Sequence, residues 1–231
     1  MGMTVSMRYV EHTVKEQKKE WEEKQKLRKL EIEVAEAKAY VKAKELSKIG
    51  SAAIKMFDQA HWTVSGNVFS KSQVSDASFM SYSFGPVVVR LTMTISSGPT
   101  CTFDVGIISS KRANNALTDN FSNLNGGGGW DLYLGWQYYT RDDKQQSFDK
   151  GCEEGRVGQR IVLEADGREA ERSLKLSQDG KTQPRYYIGI PVPFRFAVYM
   201  LSENDAVEIE SVEVLAEPQM VGGKERACMG Y

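Results

Sequence analysis

The residues best suited to nucleophilic or metal chemistry are two histidines, His12 and His61, and three cysteines, Cys101, Cys152 and Cys228. Their surroundings argue against both chemistries. A Ser–His–Asp or Cys–His site needs a nucleophile held beside the imidazole, and neither histidine has a Gly-x-Ser-x-Gly elbow or a comparable context to serve. His12 lies in a charged helical stretch and His61 just before an expected strand, so both read as structural. The cysteines are odd in number and form no Cys-x-x-Cys pair, so neither a disulfide framework nor a zinc site is expected. Their simplest state is a reduced thiol, which fits a cytoplasmic protein. The run Asn125-Gly126-Gly127-Gly128-Gly129 lacks the Lys and Ser or Thr of a phosphate loop, and a strand follows it instead of a helix. It reads as a flexible loop tip, after a long polar loop over 113–123. Asp142, Asp143, Asp149, Glu153 and Glu154 miss the alternate-ligand spacing of a calcium loop and read as a solvated acidic loop. No catalytic residue, metal or cofactor is therefore expected, and the chain does not read as an enzyme.

The most distinctive stretch is aromatic, Trp130-Asp131-Leu132-Tyr133-Leu134-Gly135-Trp136-Gln137-Tyr138-Tyr139. As one strand, its two-residue period puts Trp130, Leu132, Leu134, Trp136 and Tyr138 on a core face. Tyr133 and Tyr139 then lie on the other face. With Arg141 they make a candidate partner-binding patch, because tyrosine and arginine dominate binding hot spots. The plainer account is surface packing.

These residues need elements to hold them, and the chain splits by composition. The segment Glu11 to Glu31 is dense in lysine, arginine and glutamate, and no proline or glycine occurs between Met3 and Gly50. Good helix formers dominate, so a long helix ending near Gly50 is expected. Leu27, Leu30, Val34, Ala37 and Val41 recur at alternating three- and four-residue steps, which is a heptad seam. A helix this polar needs a partner surface for that seam. It either packs on its own domain or docks on another protein as a coiled coil. Its mixed charges suit neither a nucleic-acid arm nor a polybasic membrane helix.

From Ser51 onward, short β-rich runs alternate with turn residues. In Arg90–Ile95 and Ser173–Ser177 the apolar side chains fall on every second residue. Val207, Ile209, Val212 and Val214 do the same, with a phase shift at Glu210-Ser211 that marks a bulge. Asp179-Gly180 is a hairpin turn signal. Many short strands with few helices predict a mainly β fold, an antiparallel sandwich behind a long N-terminal α-helix. The expected layout is 1–50 as helix and docking segment, 51–217 as sandwich and 218–231 as C-terminal tail.

The second half also carries motifs. The run Gly155-Arg156-Val157-Gly158-Gln159-Arg160-Ile161-Val162-Leu163-Glu164-Ala165-Asp166 is followed by Arg172-Ser173-Leu174-Lys175-Leu176-Ser177-Gln178-Asp179-Gly180-Lys181. Then come Ile188-Gly189-Ile190-Pro191 and Phe194-Arg195-Phe196-Ala197-Val198. Upstream stand Phe103-Asp104-Val105-Gly106-Ile107-Ile108 and the tryptophan-led Trp130-Asp131-Leu132-Tyr133. From His61 to Leu215 the chain resembles the SPRY, or B30.2, domain family. Gln159 stands where that family usually has aspartate, and Asp179 where it has asparagine. The resemblance implies a concanavalin-like jelly roll with no catalytic role, whose loops at one end of the sandwich bind other proteins. No RING-finger, B-box or SOCS-box sequence accompanies it, so a ubiquitin-ligase role is not expected.

Composition bounds the partners. The 231 residues carry a formal net charge of −1, which gives nucleic acid no field to bind. No apolar run reaches the roughly 18–20 residues of a membrane helix. The N-terminus lacks a signal sequence's apolar core. Met1-Gly2-Met3-Thr4-Val5-Ser6 fits the N-myristoylation pattern, so membrane contact is expected only if Gly2 is acylated. Cys228, four residues from the end, sits in a poor prenylation context. The expected function is protein–protein interaction within a large cytoplasmic or cytoskeletal assembly, such as a ciliary or flagellar lattice. The alternative is a free adaptor that binds a short peptide and dimerises through its helix.

Overall fold

A computed structural model describes residues 16–31, 33–34, 37–38, 41, 54–98, 102–124, 126–141, 144–148, 151–168, 172–223 and 225–229. The chain divides into two compact units, Met1–Lys38 and Ala39–Tyr231. In the first, helix α1 runs over 16–31, and residues 33, 34, 37 and 38 are also helical. Lys24 and Glu20 pair one turn apart at 3.2 Å, the usual support of a charged helix surface. His12, Gly2 and Gly50 lie outside the described residues. Among the described residues, no helix is long and apolar enough to cross a membrane.

The described residues of the second unit form sixteen strands: β1 Ile54–Met56, β2 Trp62–Ser65, β3 Val68–Lys71, β4 Ser78–Ser81, β5 Val88–Ser97, β6 Phe103–Ser109, β7 Gly127–Asp131, β8 Trp136–Arg141, β9 Lys144–Phe148, β10 Arg160–Asp166, β11 Ser173–Gln178, β12 Lys181–Thr182, β13 Arg185–Ile188, β14 Phe194–Met200, β15 Ala206–Leu215 and β16 Glu225–Cys228. One sheet has the order β1-β4-β14-β6-β7-β8-β9 and the other β16-β13-β11-β10-β5-β15-β3-β2, with β12 paired to β11. The pairings are antiparallel apart from β13 with β16. The mainly β sandwich read from the sequence is the fold observed.

The two-residue period decides what is inside. Val89, Leu91, Met93 and Ile95 of β5, Ile161, Leu163 and Ala165 of β10, and Leu174 and Leu176 of β11 join one core. From the facing sheet come Phe103, Val105 and Ile107 of β6 and Phe194, Phe196, Val198 and Met200 of β14. Each of these side chains larger than Ala165 contributes roughly 1.5–3 kcal/mol by leaving water. In β15 the register with β5 slips between Ile209 and Ser211. That is the expected bulge, and it returns Val212 to the buried side. Asp179 and Gly180 turn β11 into β12 with φ of 49° and 82°, the left-handed pair that a tight hairpin requires.

Two expectations fail. The glycine run is a buried central strand, not a loop tip. Gly129 faces Gly106 across β6 and β7, and a Cβ on Gly129 would lie 2.2 Å from the Val105 carbonyl oxygen. A Cβ on Gly128 would lie 2.6 Å from Met229 Cε. Glycine is present because neighbouring backbone and side chains already fill that space. The polar stretch over 113–123 is also no open loop. Ala113, Ala116 and Phe121 fold onto Met80, Ile108, Ala197 and Tyr199, making a second small core on the outer face of the seven-stranded sheet. Of the carboxylates read as a solvated loop, Glu153 and Glu154 are exposed, Asp142, Asp143 and Asp149 lie outside the described residues, and Lys144–Phe148 between them forms the edge strand β9.

The C-terminal segment, expected as a tail, enters the sandwich. Buried Glu164 accepts hydrogen bonds from the backbone N–H groups of Gln219 (3.0 Å) and Met220 (2.8 Å) and from Arg90 Nη2 (2.6 Å). Lys175 Nζ donates to the Met220 carbonyl at 2.9 Å. These contacts lead the chain into β16, and Ala227 and Met229 end in the main core. Cys228 closes β16 opposite Ile188 of β13.

Candidate protein-interaction surface

Strand registers gather several connections at one end of the sandwich. Asp131 pairs with Trp136 and with Asp104, and Met200 pairs with Phe103. The turn 132–135, the segment 151–159 and the loop 201–205 therefore meet there. The aromatic stretch expected as one strand is a hairpin, β7 and β8, turning at this end.

Asp131 shapes the turn. Its Oδ1 accepts from the backbone N–H groups of Tyr133 (2.8 Å) and Leu134 (3.0 Å), the bond by which aspartate mimics a backbone turn. Leu132 drops into the core while Tyr133, 50% exposed, and Leu134 project outward. Trp136, expected inside, is also exposed. The segment 151–158 straps this turn: Cys152 N–H donates to Gly135 O at 3.1 Å and Gly155 N–H to Leu132 O at 2.6 Å. Glu153 N–H donates to Gln178 Oε1 at 2.9 Å, and Gln178 Nε2 returns a bond to Glu153 O at 2.8 Å. Val157 stands exposed on the strap. Glu153 pairs with Lys181, and Arg156 with Asp179 at 2.7 Å. The Arg160 backbone N–H and the Arg156 guanidinium hold the Asp179 carboxyl below the usual carboxylate range. The result is a fixed tip with exposed apolar side chains beside charged pairs, the composition of a protein-recognition patch.

The three residues of the patch read from the sequence, Tyr133, Tyr139 and Arg141, do not come together. Tyr133 is on the tip. Tyr139 is half-buried against the main core. Arg141 ends β8, roughly 15–20 Å along the strand from the turn, and its side chain lies outside the described residues. The sequence reading missed Leu134, Trp136 and Val157. Asp131 and Gly135, both turn formers, were the signal that the run breaks.

The seam residues are all on the surface: Leu27, Leu30, Val34 and Val41 are 50–59% exposed, and Ala37 is exposed as well.

Beneath the same end lies a buried charged group. Lys71 Nζ donates to Ala77 O at 2.7 Å and sits 4.4 Å from the centroid of the Trp62 ring. Burial pulls its pKa down to about 8, against the opposing pull of Asp76 and Asp205. Buried Asp205 accepts from the Ser202 N–H at 3.1 Å. Burial pushes its carboxyl up from the ordinary value.

His61 and Cys152 are held by contacts within the sandwich. His61 Nδ1 is 3.3 Å from Asp58 Oδ2, and the histidine's carbonyl accepts from Ser72 N–H at 3.0 Å. Burial, then the carboxylates of Asp131, Asp104 and Glu153, pushes the Cys152 thiol far above its ordinary value. A thiol so protonated is a poor nucleophile. Among the described residues, no three His, Cys, Asp or Glu side chains gather as a metal site.

No family model matches the chain, and no curated protein matches it by sequence. Solved structures do. The SPRY domain of human HERC1 is similar at a TM-score of 0.51 and 13% identity, over 68% of this chain and 98% of that one. The PSpry domain of TRIM65 is similar at 0.51 and 11%, over 68% of this chain and 87% of that one. The carbohydrate-binding module CBM66 from Bacillus subtilis is similar at 0.42 and 11%, over 65% and 88%. The likeness to the two SPRY domains identifies the architecture: this chain has a SPRY-like β-sandwich fold.

Proposed function

We propose that this chain is a non-enzymatic protein–protein interaction subunit of a larger cytoplasmic or cytoskeletal assembly. It docks through its N-terminal helix and through the tip carrying Tyr133, Leu134, Trp136 and Val157. The observation that carries this reading is the exposed seam Leu27, Leu30, Val34 and Val41. Apolar side chains at heptad spacing on a helix rich in charges gain little in water and gain most against a partner helix. A ciliary or flagellar lattice is one assembly of this kind.

Native pull-down with cross-linking mass spectrometry tests the reading. Salt-stable cross-links from lysines between Lys15 and Lys48 to another protein are the expected result, and they name the neighbour. Cross-links only within the chain or between copies of it, with none to another protein, overturn the assembly and leave the self-associating adaptor. The exposed tip also favours the adaptor reading, in which a short apolar peptide lies across 132–136 and Val157. Cross-links from Lys181 to a peptide ligand, with none from the helix to an assembly, would select the adaptor.

A further inference from the structure

The seam's own flanking charges name an occupant. With Leu27 and Val34 at a and Leu30 and Ala37 at d, the g positions are Lys26 and Glu33 and the e positions are Glu31 and Lys38. All four charged side chains are exposed on described helical residues. In a parallel two-stranded coil, g of one chain faces e of the next heptad on the other. Lys26 then faces Glu31 of a second copy, Glu33 faces Lys38, and two-fold symmetry repeats both pairs. All four contacts are attractive. Upstream the pattern reverses: Lys19 would face Lys24, and Glu20 and Glu23 occupy a and d. Attraction is confined to the apolar seam. Val34 at a with Leu30 at d is also the arrangement that favours two parallel strands, while Leu27 at a and Ala37 at d depart from it.

We propose that the seam is filled by a second copy of this chain, in a parallel, in-register coiled coil that begins at Lys26. The proposal rests on the reading of the seam as a docking surface and names a second copy as the seam's occupant, which leaves the coil's outer lysines and the tip to meet the assembly. The resulting dimer presents two tips, so a ligand that repeats along a lattice is held at both ends and gains from effective concentration. The apolar seam is short, so the coil is weak alone and its formation depends on chain concentration.

Sedimentation equilibrium of the full chain over a range of concentrations tests this. The mass is expected to move from one chain towards two. Lys26→Glu and Glu31→Lys each place two like-charge contacts across the coil and weaken association by about fivefold. K26E/E31K restores it, and an equimolar mixture of the two single variants associates more tightly than either alone. Circular dichroism confirms that helix content is kept. A chain that stays monomeric throughout, or a double variant that fails to recover, overturns the second copy as occupant. L30E/V34E separates that failure from failure of the docking reading. If the chain is monomeric yet this variant loses salt-stable cross-links to another protein, the seam docks elsewhere. If the variant changes nothing, the seam is no docking surface.

Discussion

Helix α1 and the sandwich use the same apolar side chains in opposite ways. Leu91, Leu163 and Leu174 are buried among neighbours from both sheets, while Leu27 and Leu30 stand 59% and 56% exposed. Period decides the difference. Alternation by two turns every second side chain of a strand towards a facing sheet, so the sandwich completes its own core. Alternation by three and four makes a stripe on a single helix, which has nothing to face until another surface arrives. The sandwich is therefore read as the part that carries stability, and the seam as the part that carries association.

The largest effect should come where the sandwich has no slack. Gly129→Val puts a side chain 2.2 Å from the Val105 carbonyl oxygen and 2.8 Å from Gly106 Cα. Backbone must move in two strands, and we expect a loss above about 4 kcal/mol or no soluble protein. Chemical denaturation measures it, and a near-native midpoint would show that β6 and β7 do not approach so closely. Leucine truncations break the comparison directly. Leu91→Ala should cost about 3–5 kcal/mol, while Leu30→Ala should change the monomer by no more than about 0.5 kcal/mol. Equal losses at the two sites would mean that the helix is part of the folding core.

What the sequence made legible follows the same division. The alternation of β5 and β11, the bulge in β15 and the Asp179-Gly180 hairpin are local signals, and the structure reproduces them. The buried glycine strand was not legible, because its cause is non-local: Val105, Tyr139 and Met229 occupy the space a side chain would need. The same holds for β16, whose parallel partner β13 lies about 40 residues earlier, Arg185 opposite Glu225. Of the tip, only Tyr133 was found. Treating Trp130 to Tyr139 as one strand sent Leu134 and Trp136 to the wrong face, since a turn resets the alternation.

A smaller effect probes the charge buried beneath the tip. Lys71 has a folded pKa of about 8, against about 10.4 when unfolded. Between those values the unfolded chain binds a proton that the folded chain lacks. The lysine's contribution therefore makes stability rise with pH through that window, and it is level below it. Asp76 and Asp205 face the ammonium and oppose its deprotonation. Denaturation of the wild type and Lys71→Met at pH 7.5 and pH 10 isolates this group. The wild type should gain on the variant at the higher pH, and a constant difference would mean that Lys71 keeps its proton.

The smallest effect on stability should accompany the clearest effect on binding. Tyr133 is half exposed at a turn held by Asp131, and Leu132 beside it supplies the core contact. Tyr133→Ala removes outward surface without touching that core, so we expect the unfolding midpoint to move by no more than about 0.5 kcal/mol. At a binding centre the same truncation costs about 1–2 kcal/mol or more, a tenfold or greater loss of affinity. Once cross-linking has named a partner, titration calorimetry with wild type, Tyr133→Ala and Val157→Ala reads this directly. Loss of affinity at both positions with unchanged stability places the partner across the turn and its strap. Unchanged affinity at both removes the tip from the interface and leaves association to the helix.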